Sequence, residues 1–274
     1  MKSVSDEQRN IEPYILETED LSVTYRTNQG LLRAVDSVSI SLPKGKIHAL
    51  VGESGCGKST LLNLALGLVP ISGGEILHGG KKIEGIVSSD VGYITQDANL
   101  LPWSTVLENI MTPLEIRGIP KAERRATAKE WAEAVGLGKF LDFYPGQLSG
   151  GMQKRCSIAR TMAYDPAMIY MDEPFGPLDA ITRTILQETL LGLWQTRRKT
   201  ILFITHDLVE AIALGDTVVV INGQPGGVRA RIPITLPRPR EIRHLAASTD
   251  FVELHTKIWS YLEPGVDNNL GELV

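Results

Sequence analysis

Apolar and polar positions alternate in short runs from Ile15 to about Leu42 (YILETEDLSVTY, then LRAVDSVSISL), with a break at Asn28-Gln29-Gly30. Period-two alternation predicts strands with one solvated face, so this region reads as an antiparallel β layer. Three later segments carry no such alternation: IHALV (47–51), MIYM (168–171) and TILFIT (200–205). Continuous apolar runs of that length suit strands buried on both faces of a parallel sheet. Each run is followed at once by glycine, carboxylate or histidine chemistry, as expected where the C-terminal ends of parallel strands face a ligand. Between the first two runs, the stretch from about Asn99 to Tyr164 reads as mostly helical, with AERRATAKEWAEAV its clearest segment. Asp165-Pro166 closes it, because proline cannot continue the hydrogen-bond ladder. A further strand, VVVI, leads to Asn222-Gly223 and a turn-rich piece, QPGGVRARIPITLPRPR. Its Arg231, Arg238 and Arg240 stand among prolines and read as a solvated loop. From Leu245 to Leu262 the positions of Phe251, Leu254, Ile258 and Tyr261/Leu262 trace one face of an amphipathic helix.

Composition narrows the class without naming a function. The chain has 274 residues, 43% hydrophobic and 22% charged, enough to bury a large core. Two cysteines exclude a disulfide-stapled scaffold and a multi-cysteine metal centre. A net charge of −4 offers no general basic footprint, so no nucleic-acid partner is expected. No run approaches the ~20 consecutive apolar residues of a bilayer crossing. The opening MKSVSDEQRNIEP lacks the apolar stretch of a signal peptide, and residues 1–12 read as a polar tail. The expectation is a soluble, compact chain without a long internal linker.

The chemistry is concentrated in a few motifs. Gly52-Glu53-Ser54-Gly55-Cys56-Gly57-Lys58-Ser59 fits the phosphate-loop spacing, lying after an apolar strand and before a helix that runs from Thr60 to Leu68. Glycines let the backbone N–H groups turn toward one anion, and the helix N-terminus adds its positive dipole end. Lys58 then sits against the β- and γ-phosphates, and the Ser59 hydroxyl on Mg²⁺. Asp172 and Glu173 close the second buried strand and point in opposite directions, so they divide the work. Asp172 suits the Mg²⁺, and Glu173 suits a water in line with the γ-phosphate. Leu148-Ser149-Gly150-Gly151 opens a second helix with an anion-binding start. It is either an ordinary capped helix or half of a clamp in which one nucleotide lies between two copies of the chain. Cys56 reads first as a small loop filler; a redox role requires the helix N-terminus to lower its pKa.

The phosphate loop, LSGGMQKR, MDEP and a histidine after an apolar strand occur in this order in the ATP-binding subunits of ABC transporters, which the chain resembles over roughly residues 15–240. The resemblance implies an α/β P-loop NTPase (RecA-like) core with a parallel sheet, an N-terminal antiparallel β-subdomain and an inserted α-helical subdomain. It places the ATPase domain at 13–240, the helical insertion at about 97–165 and a C-terminal helical extension at 241–274. It also implies a head-to-tail dimer in which Ser149, Gly150 and Gly151 face ATP held by Lys58 of the other subunit. Tyr25 is then the residue that stacks on adenine, though it reads equally as an ordinary strand tyrosine. Gln96 becomes the glutamine that senses Mg²⁺ and the attacking water, His206 the γ-phosphate histidine, and Asp179 the aspartate that links the two sites. Pro177 departs from the small residue usual there.

LLPWSTVLENI and QPGGVRARIPITLPRPR resemble the nitrate/sulfonate/taurine group of importers. In that group the LLPW region receives a helix of the membrane subunit; packing of the insertion on its own core is the competing reading. The resemblance implies an ATPase peripheral to the cytoplasmic side of the inner membrane, energising uptake of a small anion or organic solute. Its partners are a membrane-spanning permease, a second identical or paralogous ATPase and, indirectly, an extracytoplasmic solute-binding protein. The rival is a soluble ABC ATPase, as in cluster assembly. Export is disfavoured by the absence of a fused membrane domain in the sequence.

Overall fold

The computed structural model describes residues 14–28, 30–83, 85 and 91–263; the polar tail, Gln29 and the end of the C-terminal extension lie outside these. The alternating N-terminal segment forms a hairpin of β1 (Tyr14–Thr27) and β2 (Gly30–Pro43). After β3 (Ile47–Val51) and α1 (Lys58–Ala65), β4 (Gly73–His78) and the short β5 (Lys81–Lys82) extend the hairpin into a four-stranded antiparallel sheet, ordered β2-β1-β4-β5. The sequence pattern had not indicated β4, whose GGEILH carries only Ile76 and Leu77 as sizeable apolar residues.

The second sheet continues with β6 (Val91–Ile94), three helices α2 (Val106–Ile116), α3 (Lys121–Ala134) and α4 (Gly150–Met162), and then β7 (Met168–Asp172). It is completed by α5 (Ala180–Arg197), β8 (Thr200–Ile204), α6 (Leu208–Leu214), β9 (Thr217–Asn222) and β10 (Gly227–Pro233). The strand order is β10-β9-β3-β8-β7-β6, parallel from β9 to β6. Helices α7 (Ile242–Leu245) and α8 (Thr249–Ser260) follow, with Phe251 and Ile258 buried as the amphipathic pattern requires.

The continuous apolar runs have a simple cause. Ile169 and Met171 of β7, and Ile201 and Phe203 of β8, face a core shared with α2 to α6. Their neighbours Met168, Tyr170, Leu202 and Ile204 face a second core shared with α1 and the antiparallel sheet. Successive side chains point to opposite faces, and both faces are covered. Register then sets the functional edge: Met171 pairs with Ile94 and Phe203, and Ile204 with both Asp172 and Leu50. The chain therefore leaves β3, β6, β7 and β8 at one edge of the sheet, where residues 52–58, 95–96, 173 and 205–206 begin.

The turn-rich segment needs a correction. Part of it is β10, an edge strand antiparallel to β9, where the terminal Pro233 removes no interior ladder bond. Arg240 is buried rather than solvated: its guanidinium donates to the carbonyls of Ile212, Ala213 and Gly215 at 2.9, 3.2 and 2.6 Å, satisfying the C-terminal end of α6. Arg238 pairs with Asp216 at 2.9 Å. Arg231 stays exposed, but on β10 and not in a loop.

Candidate active site at the edge of the parallel sheet

The turn from β3 into α1 is forced into shape at Gly57. Its φ of 92° lies in the left-handed region, and a Cβ there would come within 2.7 Å of the Ala34 carbonyl oxygen. As N-cap of α1, Gly57 has no side chain to offer, so the first N–H groups of the helix receive no side-chain cap. Lys58 is buried, and its Nζ donates to the carbonyls of Gly52 and Glu53 at 2.9 and 2.7 Å, bridging the loop. Ser59 Oγ donates to Asp172 Oδ1 at 3.4 Å. Burial pushes the Asp172 carboxyl above its usual range, against that hydrogen bond.

A cleft of about 410 Å³ gathers Tyr25, Ser54, Gly55, Gly57, Lys58, Ser59, Thr60, Glu173 and His206. The backbone of Glu173 is left-handed at φ 41°, a costly conformation for a side chain with a Cβ. Its carboxylate Oε1 lies 3.3 Å from Nδ1 of the exposed His206. A Cβ built on Gly176 would stand 3.6 Å from Glu173 Oε2 and 3.9 Å from Gln96 Nε2, so the Gln96 amide and the Glu173 carboxylate converge over that glycine. Gly52, Glu53 and Cys56 do not line the cleft. The first two supply carbonyls to Lys58, and the Cys56 thiol turns inward to the Ile221 carbonyl at 3.4 Å. Burial pushes that thiol up, the reverse of the shift a redox role requires.

Behind His206, Asp207 caps α6 by accepting from the N–H groups of Val209 and Glu210 at 2.8 and 3.2 Å. Glu210 itself is buried and accepts from Thr205 Oγ1 at 2.7 Å and Gln187 Nε2 at 3.1 Å. Desolvation lifts its carboxyl to about 6. Sequence reasoning passed over Glu210; its only signal is a carboxylate inside the apolar LVEAIAL.

Ser149, Gly150, Gly151 and Asp179 do not join this cleft. Ser149 caps α4 by accepting from the Met152 N–H at 3.3 Å, and Asp179 caps α5 by accepting from the Thr182 N–H at 3.0 Å. That bond holds the Asp179 carboxyl below its usual value. A Cβ on Gly151 would run into Thr182 Cγ2, so the two helix starts form one patch. The LLPW segment divides between its two readings. Leu100 packs on the core, whereas Trp103 is 74% exposed. The buried Asn109 holds the loop between, bonding to both the N–H and the carbonyl of Leu101.

A sequence profile described as ABC transporter matches residues 35–176, just over half of the chain. The chain belongs to the ABC transporter family. This cassette is 42% identical to an uncharacterized ABC transporter ATP-binding protein of Methanocaldococcus jannaschii over 255 residues, covering 93% of this chain and 94% of that protein. It is 38% identical to the taurine import ATP-binding protein TauB of Rhizobium johnstonii, covering 92% and 98%. Identity is also 38% to the aliphatic sulfonates import ATP-binding protein SsuB of Bacillus thuringiensis, covering 90% and 95%. A solved dimeric ATP-binding cassette in a post-hydrolysis state, bound to ADP and Pi, superposes with a TM-score of 0.72 at 29% identity, over 81% of this chain and all of that one. The cassette is thus an ABC ATPase, with ATP as its nucleotide. Among the described residues no helix is long and apolar enough to cross a membrane.

Proposed function

We propose that this cassette is the ATP-hydrolysing subunit of an importer for a small anion or organic solute of the taurine, sulfonate or nitrate kind. It works at the cytoplasmic face of the inner membrane beneath a separate permease, and a solute-binding protein delivers the cargo to that permease. The observation that carries the catalytic part is the convergence of Lys58, Ser59, Asp172, Glu173 and His206 at one sheet edge. In this reading the uncapped start of α1 and the loop from Gly52 to Thr60 bind the β- and γ-phosphates, with Lys58 exchanging loop carbonyls for phosphate oxygens. Tyr25, on the wall of the cleft, stacks on the base. Glu173 takes the proton of the attacking water, His206 donates toward the γ-phosphate, and Gln96 orients the water.

The residues present fit a magnesium ion. Among the described residues no three His, Cys, Asp or Glu side chains cluster as a metal cage. A hydroxyl and a carboxylate 3.4 Å apart beside the phosphate loop nonetheless form the oxygen pair that Mg²⁺ takes together with substrate phosphates. Ser59 and Asp172 would hold it, together with Gln96 from the end of β6. When bound, the ion would supply Lewis-acid neutralisation of the charge that develops on the transferring phosphate.

The separate patch of Ser149, Gly150, Gly151 and Asp179 is assigned to the nucleotide of a second copy, or of a paralogous ATPase. We divide the chain accordingly into an ATPase domain at 13–240 carrying a helical insertion at about 97–165, and an extension at 241–274. Affinity purification from a detergent extract tests the transport reading: a polytopic membrane protein should accompany the cassette. Recovery with a soluble scaffold alone would replace transport by the cluster-assembly alternative.

A further inference from the structure

The segment that carries Gln96 makes unusual use of its backbone. Every carbonyl from Thr95 to Asn99 accepts a hydrogen bond from a side chain. Lys154 Nζ donates to Thr95 O at 2.5 Å and to Gln96 O at 3.0 Å. Arg160 donates to Ala98 O at 3.1 Å and to Asn99 O at 2.8 Å. Asp97 O accepts from Thr95 Oγ1 at 2.7 Å, and that hydroxyl in turn accepts from Asn99 Nδ2 at 2.8 Å. Four of the five carbonyls are therefore held by two cations of one helix, α4.

Lys154 is 2% exposed. Burying an ammonium is costly unless its protons are satisfied, and desolvation pulls this one down to about 8, with Asp97 and Asp172 acting the other way. A lysine that only filled space would be replaced by an apolar side chain at little cost. This one directs its donors at the main chain on either side of the Gln96 Cα. Lys154 also lies one turn into the helix whose first residues are Gly150 and Gly151 and whose cap is Ser149.

We propose that Lys154 and Arg160 are positioning residues that staple the 95–99 segment to α4 and so hold the Gln96 amide where it converges with the Glu173 carboxylate over Gly176. This rests on the site reading given under the proposed function. Neither cation lines the cleft; Lys154 acts on the main chain at Gln96, and Arg160 on the carbonyls of Ala98 and Asn99 just beyond it.

The purified full-length chain tests it with ATPase kinetics at several ATP concentrations and with the Kd of a fluorescent ATP analogue. Lys154→Met should lower kcat by about ten- to a hundredfold, the size expected for a catalytic group displaced by about 1 Å. The analogue Kd should stay at the wild-type value, because the phosphate loop is untouched, and Lys154→Arg should restore most of the rate. In a double-mutant cycle, Gln96→Ala with Lys154→Met should be no slower than Gln96→Ala alone. Amide exchange should rise in peptides covering 95–99 and stay unchanged over 52–60. Arg160→Met carries the same expectations should Lys154→Met fail to fold. Wild-type kcat in Lys154→Met, or losses that multiply in the double variant, would overturn the staple. Wild-type turnover in Gln96→Ala would instead overturn the site reading beneath it.

Discussion

Two helices of this cassette begin with glycines, and they begin differently. The start of α1 has no side-chain cap and faces a cleft furnished by the ends of two other parallel strands, β7 through Glu173 and β8 through His206. The start of α4 is capped by its own Ser149, packs against α5 through Gly151, and leaves open space around Gly150. Both offer N–H groups to an anion, but only the first has carboxylate and imidazole chemistry beside it within the same chain. The contrast teaches that a phosphate-binding turn becomes a catalytic site through its neighbours. One of these two turns obtains its neighbours from the sheet; the other is proposed to obtain them from a second molecule.

The largest effect that would break this comparison is chemical. Glu173→Gln should leave ATP binding intact while lowering turnover by about a hundred- to ten-thousandfold, the range for loss of a general base. Steady-state hydrolysis beside equilibrium nucleotide binding measures both, and normal turnover would remove Glu173 from its role. Lys58→Ala acts on the other variable. Losing a buried charge-assisted contact of about 1.5–3 kcal/mol should weaken ATP affinity by roughly ten- to a hundredfold. Titration with a fluorescent analogue reads this directly.

Stability separates the two helix starts next. Gly57→Ala meets both a positive φ and the Ala34 carbonyl, and should cost about 2–4 kcal/mol in urea unfolding. Ser149→Ala removes an exposed cap and should cost only about 1 kcal/mol. Equal costs would erase the distinction drawn above.

A further effect appears with pH. His48, buried in β3 with Nε2 on the Pro43 carbonyl, is pushed by desolvation from 6.5 down to about 4. Its folded pKa lies below its unfolded one, so the native state binds fewer protons in that window. The stability this histidine contributes is complete above pH 6.5 and is lost as pH falls from 6.5 through about 4. His48→Gln should flatten that part of a thermal-melting profile measured against pH, and an unchanged slope would assign the acid sensitivity elsewhere.

Much of the catalytic cleft was legible because its signals are local. The loop from Gly52 to Ser59 and the acidic end of MIYMDE each fit within a few residues, and continuous apolar runs announced β3, β7 and β8. What escaped the pattern depends on distant partners or on edges. The β4 strand opens on Gly73-Gly74 and carries only two sizeable apolar residues, and β10 ends at Pro233 on the sheet edge, so glycine and proline mask both as turns. Arg240 reads as a loop cation until the α6 carbonyls it satisfies are known. Lys154 lies 58 residues from Gln96, and no spacing rule links an ammonium to a backbone that far away.

The cleft around Lys58 is proposed to be completed by the Ser149–Gly151 patch of another subunit. Sedimentation of Glu173→Gln with and without Mg-ATP tests it most directly, because bound nucleotide then persists. A nucleotide-dependent doubling of mass with one ATP per chain is expected, abolished when Ser149→Arg is added. A variant that binds ATP at full stoichiometry yet sediments as a monomer, or dimers indifferent to Ser149→Arg, would contradict it.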